Sequence, residues 1–596
     1  MRVRGTGRRA RRLGRVVAVA VVVAGCATAT GVRPESFTTT TAPAATTVPE
    51  ATTTTKPSPY GGTVVIGVGE GSSPRTLNPL LEGPDLAVLD LISPALFARG
   101  WIADPATGEA VAAVLDAMPS LANGLVVDNG DGTIEVTVEV RDDAVWADGV
   151  PISGDDLAFT VSVATDPQYP IRSDAADLYA MVIPGSVRPS ARGVTLRMQA
   201  TTAYQGLFAV ILPRHDVAGS DFAADWNDTT WVSGGPFVLD EFVPGQLMSL
   251  VRNPGYWERS SRGDLLPYLD RVIFRFYEPG EDADPRVLDA FTVGDLDLVT
   301  IASAQERATP YRDLDGAEVE TAPGRVWEFL SFQFGPGNRN ALSQNRYLDL
   351  RRAVAHAIDR DALAVARGTA PVTSVLGRFG LGAGEGPWSQ YVHDLDEVNA
   401  RLDALSDLID IDPFAGSGLD VSLTVPADSA ASIATAGRVV TMLREAGLDA
   451  ELQLEESDLF FGPTFDNGSW DVASWGLIAA PGTTAAASLM TAFDPDGLPF
   501  VGTNYFRWGT IDSLVSGESI ERYRTLVDEL RVEIDPSAAE ALMVEMEQIL
   551  ADEVVIIPLV VRDDVGVAWW GDRVEGPRLN PVGGIAWNVA SWRRTR

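Results

Sequence analysis

Cysteine is nearly missing from this chain. Of 596 residues only Cys26 carries a thiol, so no internal disulfide can form and stability must come from core burial. Histidine is almost as scarce: His215, His356 and His393 stand far apart, none at zinc-ligand spacing from another. Lysine occurs once, at Lys56, followed by Pro57, which leaves none for a phosphate-binding Walker loop. No serine sits in a Gly-x-Ser-x-Gly elbow, and no second thiol is present for nucleophilic work. Gly67 to Gly71 is a glycine-rich turn with the wrong spacing for a dinucleotide. Asp128 to Gly132 lacks the ligand series of a calcium loop, so turn chemistry accounts for it. Positive charge is also short, and the formal net charge of −36 repels nucleic acid and anionic lipid. After the N-terminal segment no apolar run approaches the roughly 20 residues that span a bilayer. With 45% hydrophobic and 21% charged residues, the bulk of the chain reads as globular with a large core. Neither an enzyme nor a cofactor or metal site is expected.

What is present begins at the N-terminus. Seven arginines precede an apolar run from Val16 to Ala24, the order of charge and apolar residues found in an export signal. Val23-Ala24-Gly25-Cys26 resembles the bacterial lipobox, which implies removal of residues 1–25 and acylation of Cys26 as the lipid attachment point. The pairs Arg8-Arg9 and Arg11-Arg12 fit twin-arginine export as well as the general route. Residues 26–59 are rich in Thr, Ala and Pro, with runs at Thr38–Thr41 and Thr52–Thr55. Such a segment buries no core and reads as an extended spacer holding the folded part off the membrane. The expected location is therefore extracytoplasmic, on the outer face of the cytoplasmic membrane.

From residue 60 onward, strand and helix signals interleave. Thr63–Val68 is a β-branched run that reads as a buried strand. Leu125–Val127, a turn at Asp128–Gly132, and the alternating Ile134–Val140 predict a hairpin with one buried face. Ser153 is placed to cap a helix with Asp155 and Asp156 in its first turn. Further strands are expected at Val194–Met198, Val272–Phe276 and Leu296–Ile301. Apolar stripes predict helices at Val88–Phe97, at Leu350–Ile358 roughly bracketed by Asp349 and Asp361, and at Val439–Ala446 stopped by Gly447. Two more are expected around Tyr523–Leu530 and Leu542–Leu550. Val554–Val561 reads as a buried strand whose Pro558 marks an edge or a crossover. The class is α/β, or mixed α+β. Trp327, Trp388, Trp470, Trp475, Trp508, Trp569 and Trp570 crowd the later part, suited to core packing or to a pocket wall.

Several stretches then resemble, in order, the solute-binding proteins of peptide and nickel ABC importers (family 5). Gly61–Gly67 with Leu77-Asn78-Pro79 looks like the family's opening strand and loop. Val140–Gly149 with Ser153–Phe159 is the nearest match. Gly234–Leu239 and Arg252–Trp257, Asp349–Arg360, and Trp470–Gly476 follow. The resemblance implies a two-lobed type II periplasmic-binding-protein fold, with an extra subdomain in the first lobe and a ligand cleft between the lobes. On that basis the first lobe takes 60–90, 230–320 and 553–596, the subdomain 91–229 and the second lobe 321–552.

The resemblance also implies a site. Gly71, Ser72 and Ser73 would offer groups to an extended ligand, Trp327 and Phe332 would belong to the crossover, and Trp475 and Trp388 would wall side-chain pockets. Gly476, Leu477, Ile478 and Ala479 would complete the cleft. Peptide-binding members carry an acid after the Trp-Gly turn, whereas this chain has none there before Asp494. An unpartnered buried ammonium costs several kcal/mol, which favours a capped or apolar solute over a dipeptide. The implied partners are that solute and an ABC permease, with the protein acting as a monomer. Two other readings keep the sequence signals: an envelope lipoprotein that binds or regulates cell-wall glycolipid, and, more distantly, an envelope enzyme.

Overall fold

In a computed structural model the chain is described over residues 58–596, apart from 70–72, 84–85, 106–107, 278–282, 303–306, 336–343, 383, 410–419, 428, 480–481, 499–501, 511–514, 516, 563 and 596. Two sheets organise the molecule. The larger has seven strands, in the order Ala317–Pro323, Asp564–Trp570, Leu298–Ala302, Thr63–Val68, Arg271–Phe276, Leu247–Arg252 and Phe237–Val243. The opening strand Thr63–Val68 lies at its centre and runs parallel to both neighbours, Arg271–Phe276 and Leu298–Ala302. Cover on both faces explains why that strand reads as one continuous apolar run. Val64, Ile66 and Leu298 pack on one side; Leu296, Val299 and Phe291 pack on the other.

The smaller sheet has five strands, in the order Asp449–Glu455, Asp420–Pro426, Val472–Ile478, Val326–Phe332 and Ile556–Val561. Its core is built from Phe329, Val354, Leu443, Trp475, Tyr523 and Met546, among others, drawing on every helical stripe of the second half. The Leu350–Ile358 stripe forms one helix, as expected, and a separate helix follows it. The first runs Leu348–Ala357, and Asp359 caps the second, Arg360–Arg367, by accepting from the Ala362 N–H at 2.8 Å. Pro558 lies on an edge strand, opposite Phe329 and beside an irregularity in the register, places where a strand tolerates proline.

A third, four-stranded sheet centres the subdomain, and it contains the expected hairpin. The strand Thr133–Glu139 alternates half-buried and buried residues along its length, with Ile134, Val136 and Val138 inside. Here the Val140–Phe159 signature finds its physical role. Asp156, buried in the first turn of helix Gly154–Ala164, accepts from the Ser153 N–H at 2.9 Å and the Arg214 N–H at 2.8 Å. The indole N–H of fully buried Trp146 points at the same carboxylate at 3.4 Å. That carboxylate therefore joins a loop, a helix and a second loop in one buried network.

Two expected boundaries are corrected. Ile556–Val561, assigned from sequence to the first lobe's segment 553–596, instead pairs with Val326–Phe332 in the smaller sheet. The first lobe regains the chain only at Asp564. The subdomain is also narrower than 91–229. Ile92 and Leu96 of helix Leu86–Leu96, and Leu212, Phe222 and Trp226 downstream, pack into the first lobe's core, because the apolar face of that helix lies on the turn Ile585–Ser591.

Candidate functional site

The chain passes between the two sheets twice, from Pro323 to Val326 and from Val561 to Asp564. Both crossings meet the end of strand Val472–Ile478. The Ala479 N–H donates to the Arg325 carbonyl at 2.9 Å, and Arg325 Nε donates to the Ala479 carbonyl at 3.2 Å. The Arg562 N–H donates to the Val326 carbonyl at 2.8 Å. One small region thus holds both connections and the strand end that the sequence singled out.

Gly476 is required there by close approach. A Cβ on it would lie 2.8 Å from Val326 Cγ1 and 3.3 Å from Arg562 Nη1. Directly across the ladder from Gly476 stands Glu328, only 1% exposed. Ser432, in the first turn of helix Ala430–Glu445, donates its hydroxyl to Glu328, and Arg562 Nε lies 3.9 Å from the same carboxylate. A helix N-terminus and a guanidinium therefore both stabilise this buried charge. Glu328 is the functional-site candidate that the sequence reading passed over. Its signal was legible: one acid inside the run Val326-Trp327-Glu328-Phe329-Leu330.

The strand end itself is apolar and open. Ile478 is 66% exposed and Leu477 is half-buried. Arg325 supplies the nearby positive charge, and burial pushes its guanidinium below the ordinary value, with Asp90 opposing that shift and Arg172 adding to it. Arg172 Nη1 contacts Asp90 Oδ1 at 3.2 Å. Asp90 comes from the first lobe, Arg172 from the subdomain and Arg325 from the crossing, so all three bodies contribute to one charge cluster. On another side, helix Thr483–Thr491 packs against the subdomain turn Thr202–Gly206, and Ile534 packs on the subdomain core. Residues Ser58–Arg596 form one compact body in this arrangement.

The remaining predicted residues fall into three groups. Gly71, Ser72 and Cys26 lie outside the described residues. Ser73 is buried, and its hydroxyl accepts from the Gly245 N–H at 2.6 Å, tying the loop after the opening strand to a hairpin turn. It borders an open recess of about 500 Å3 shared with Arg75, Asn227, Asp228 and Phe242. Trp327, Phe332 and Trp388 are fully buried in the smaller sheet's core. Trp388 donates its indole N–H to the Ile556 carbonyl at 3.1 Å, so it braces the edge strand and offers no wall to a pocket, which corrects the expectation for it. Trp475 is also buried, within a cluster of rings: Phe329 at 4.7 Å, Phe465 at 5.2 Å and Phe506 at 5.9 Å between centroids. Those contacts fix the strand that carries Gly476, Leu477 and Ile478. Asp494, the next acid in sequence, is buried and engaged by Arg531.

Two sheet-centred lobes, two crossings and an added subdomain are the architecture of the type II periplasmic-binding-protein fold. The model for bacterial extracellular solute-binding proteins, family 5 (middle region), matches residues 116–497, and the chain belongs to that family. It is 25% identical over 470 residues to the oligopeptide-binding protein OppA of Mycobacterium bovis, covering 71% of this chain and 68% of that protein. Among solved structures it resembles the periplasmic EDTA-binding protein EppA, with a TM-score of 0.67 and 22% identity over 90% of this chain and 97% of the other. An oligopeptide-binding protein of Thermus thermophilus, solved with a pentapeptide, gives a TM-score of 0.58 and 19% identity, over 89% and 96%. At these identities the structural likeness is one of fold. The family comprises extracytoplasmic binding components of ABC transporters, not enzymes. Among the described residues no helix is long and apolar enough to cross a membrane.

Proposed function

We propose that this protein captures a small solute with substantial apolar surface between its two lobes and presents it to an ABC permease, while Cys26 carries a lipid that tethers it outside the cytoplasmic membrane. The observation that carries the ligand class is the strand end beside both crossings, where Ile478 is exposed and Leu477 half-buried. Closure over a solute would bury that apolar surface, and each such side chain contributes about 1.5–3 kcal/mol when taken out of water. Arg325 and the Asp90–Arg172 pair supply polar groups from three bodies, so a solute that touches them favours one relative placement of the lobes. Glu328 replaces in space the acid missing from the Trp-Gly turn, but Ser432 and Arg562 already engage it. A capped or amide-bearing peptide fits this arrangement better than a free ammonium. The relatives that bind oligopeptides support the peptide-like part of the reading.

Native mass spectrometry of the gently purified protein tests this directly. A peptide-like adduct of a few hundred daltons that is lost on denaturation and weakened by Ile478→Asp supports capture for import. A glycolipid adduct instead moves the function to the envelope. An adduct unaffected by Ile478→Asp places the ligand elsewhere and defeats this reading.

A further inference from the structure

A second recess, of about 460 Å3, is lined by none of the residues of the two crossings. Its walls come from the first lobe, the subdomain and the turn Ile585–Ser591, and they include Phe97, Arg99, Tyr256, Trp257 and Trp587. None of its lining residues belongs to the smaller sheet or its helices. Its size is within the range of small-molecule sites.

A hydrogen-bond account of its polar side chains is one-sided. The acidic groups are already occupied: Asp143 takes Arg141 Nε at 2.9 Å and Nη2 at 3.0 Å, and Glu258 takes the Tyr256 hydroxyl at 2.8 Å. Trp587 gives its N–H to the Arg578 carbonyl at 2.8 Å. Two donors are left over. The indole N–H of Trp257 is buried without an acceptor. Arg99 Nε is buried without one as well, and its guanidinium makes no hydrogen bond or ion pair with any described residue. Burial presses the Arg99 guanidinium below its ordinary value, with Asp90 opposing that shift and Arg172 adding to it. Buried donors are rarely left unmet in a native protein, and each costs about 1–3 kcal/mol in that state.

We infer that this recess is a binding site for a small carboxylate with a flat apolar body, its oxygens accepting from Arg99 and from the Trp257 indole while its body lies against the aromatic wall. The site is independent of the interlobe reading. A carboxylate supplies the acceptors that these two donors lack, and the Arg141 guanidinium, 4.6 Å from the centre of the Trp257 ring, stacks over that ring.

The test is calorimetric titration of the full-chain protein with 2-naphthoate, alongside its neutral methyl ester. One-to-one binding of 2-naphthoate is expected, with the ester at least several-fold weaker. Arg99→Gln is expected to weaken binding about tenfold and Trp257→Phe about threefold, each with a melting temperature no lower than that of the wild type. No binding at millimolar 2-naphthoate, or equal affinity for wild type and a folded Arg99→Gln, overturns the proposal. Crystals soaked in 2-naphthoate decide the matter even where a variant fails to fold. Density against Arg99 and Trp257 upholds the site, and density only between the lobes refutes it.

Discussion

The subdomain network around Asp156 and the strand end at Gly476–Ala479 are opposite kinds of site. The first lies in the segment with the strongest family resemblance, yet every group in it faces another group of the same chain. Asp156 receives two backbone N–H groups and faces the Trp146 indole. The second carries a short, weak signal, yet it holds Ile478 in the open, both crossings and a charge cluster drawn from three bodies. Signature strength here reports a folding constraint. On the proposed function, ligand contact falls where the chain leaves side chains unburied, because a binding surface must stay unsatisfied until its partner arrives.

The largest expected effect sharpens that contrast at the network. Asp156→Ala removes a buried acceptor from several donors at once and should destabilise the protein by about 3–5 kcal/mol. Urea denaturation followed by far-UV circular dichroism measures it. A loss below about 1 kcal/mol would mean that the network does not hold the subdomain. The folded remainder of Asp156→Ala should bind solute normally, since Asp156 lies in the subdomain's own core.

Next in size is Gly476→Val. The new side chain meets Val326 and Arg562, so overpacking should cost about 1–3 kcal/mol. Because both crossings run through those residues, solute affinity should fall along with stability. A stable Gly476→Val that binds normally would separate the strand end from the crossings and break the comparison.

Ile478→Asp reverses the pattern. An exposed position tolerates the change within about 0.5 kcal/mol of stability. Loss of its apolar contact should still weaken solute binding about tenfold, read as the fraction of protein that retains its adduct in native mass spectrometry. Together the three variants run from stability without binding to binding without stability.

How much of this was legible in the sequence follows the same physics. Thr63–Val68, the Ile134–Val140 alternation and the stripes at Tyr523 and Leu542 were readable because burial imposes periodicity on residue type. The lobe boundary at Ile556 was not, since an apolar run fits either sheet and only pairing with Val326–Phe332 decides between them. The helix break at Asp359, two residues before the expected bracket at Asp361, was likewise not announced by the apolar spacing. Within the candidate site the crossing and the strand end were readable by resemblance, whereas the burial of Trp388 depended on tertiary packing. Glu328 could have been flagged as a lone acid in an apolar strand. Its partners Ser432 and Arg562 lie more than a hundred residues away, and no local pattern announces them.

The smallest effect concerns a buried carboxylate belonging to neither region. Glu547, on helix Pro536–Asp552, accepts from the Val375 N–H at 2.6 Å, the Leu376 N–H at 3.1 Å and the Ser374 hydroxyl at 3.0 Å. Burial nevertheless wins over those bonds and pushes its carboxyl above the ordinary carboxylate value. The folded state then holds this proton more tightly than the unfolded state does. Its contribution to stability is therefore fully present below the unfolded carboxylate range and declines as pH rises through the raised folded value. Glu547→Gln cannot titrate, so the difference between wild-type and variant stability, measured by urea denaturation from pH 4 to 7, should change in that direction and then level off. A flat difference across the range would mean that the three donors fully offset burial. Solute binding should be the same in both proteins, because a shifted carboxyl walled into a helix-packing contact has the electrostatic mark of a functional group without access to any ligand.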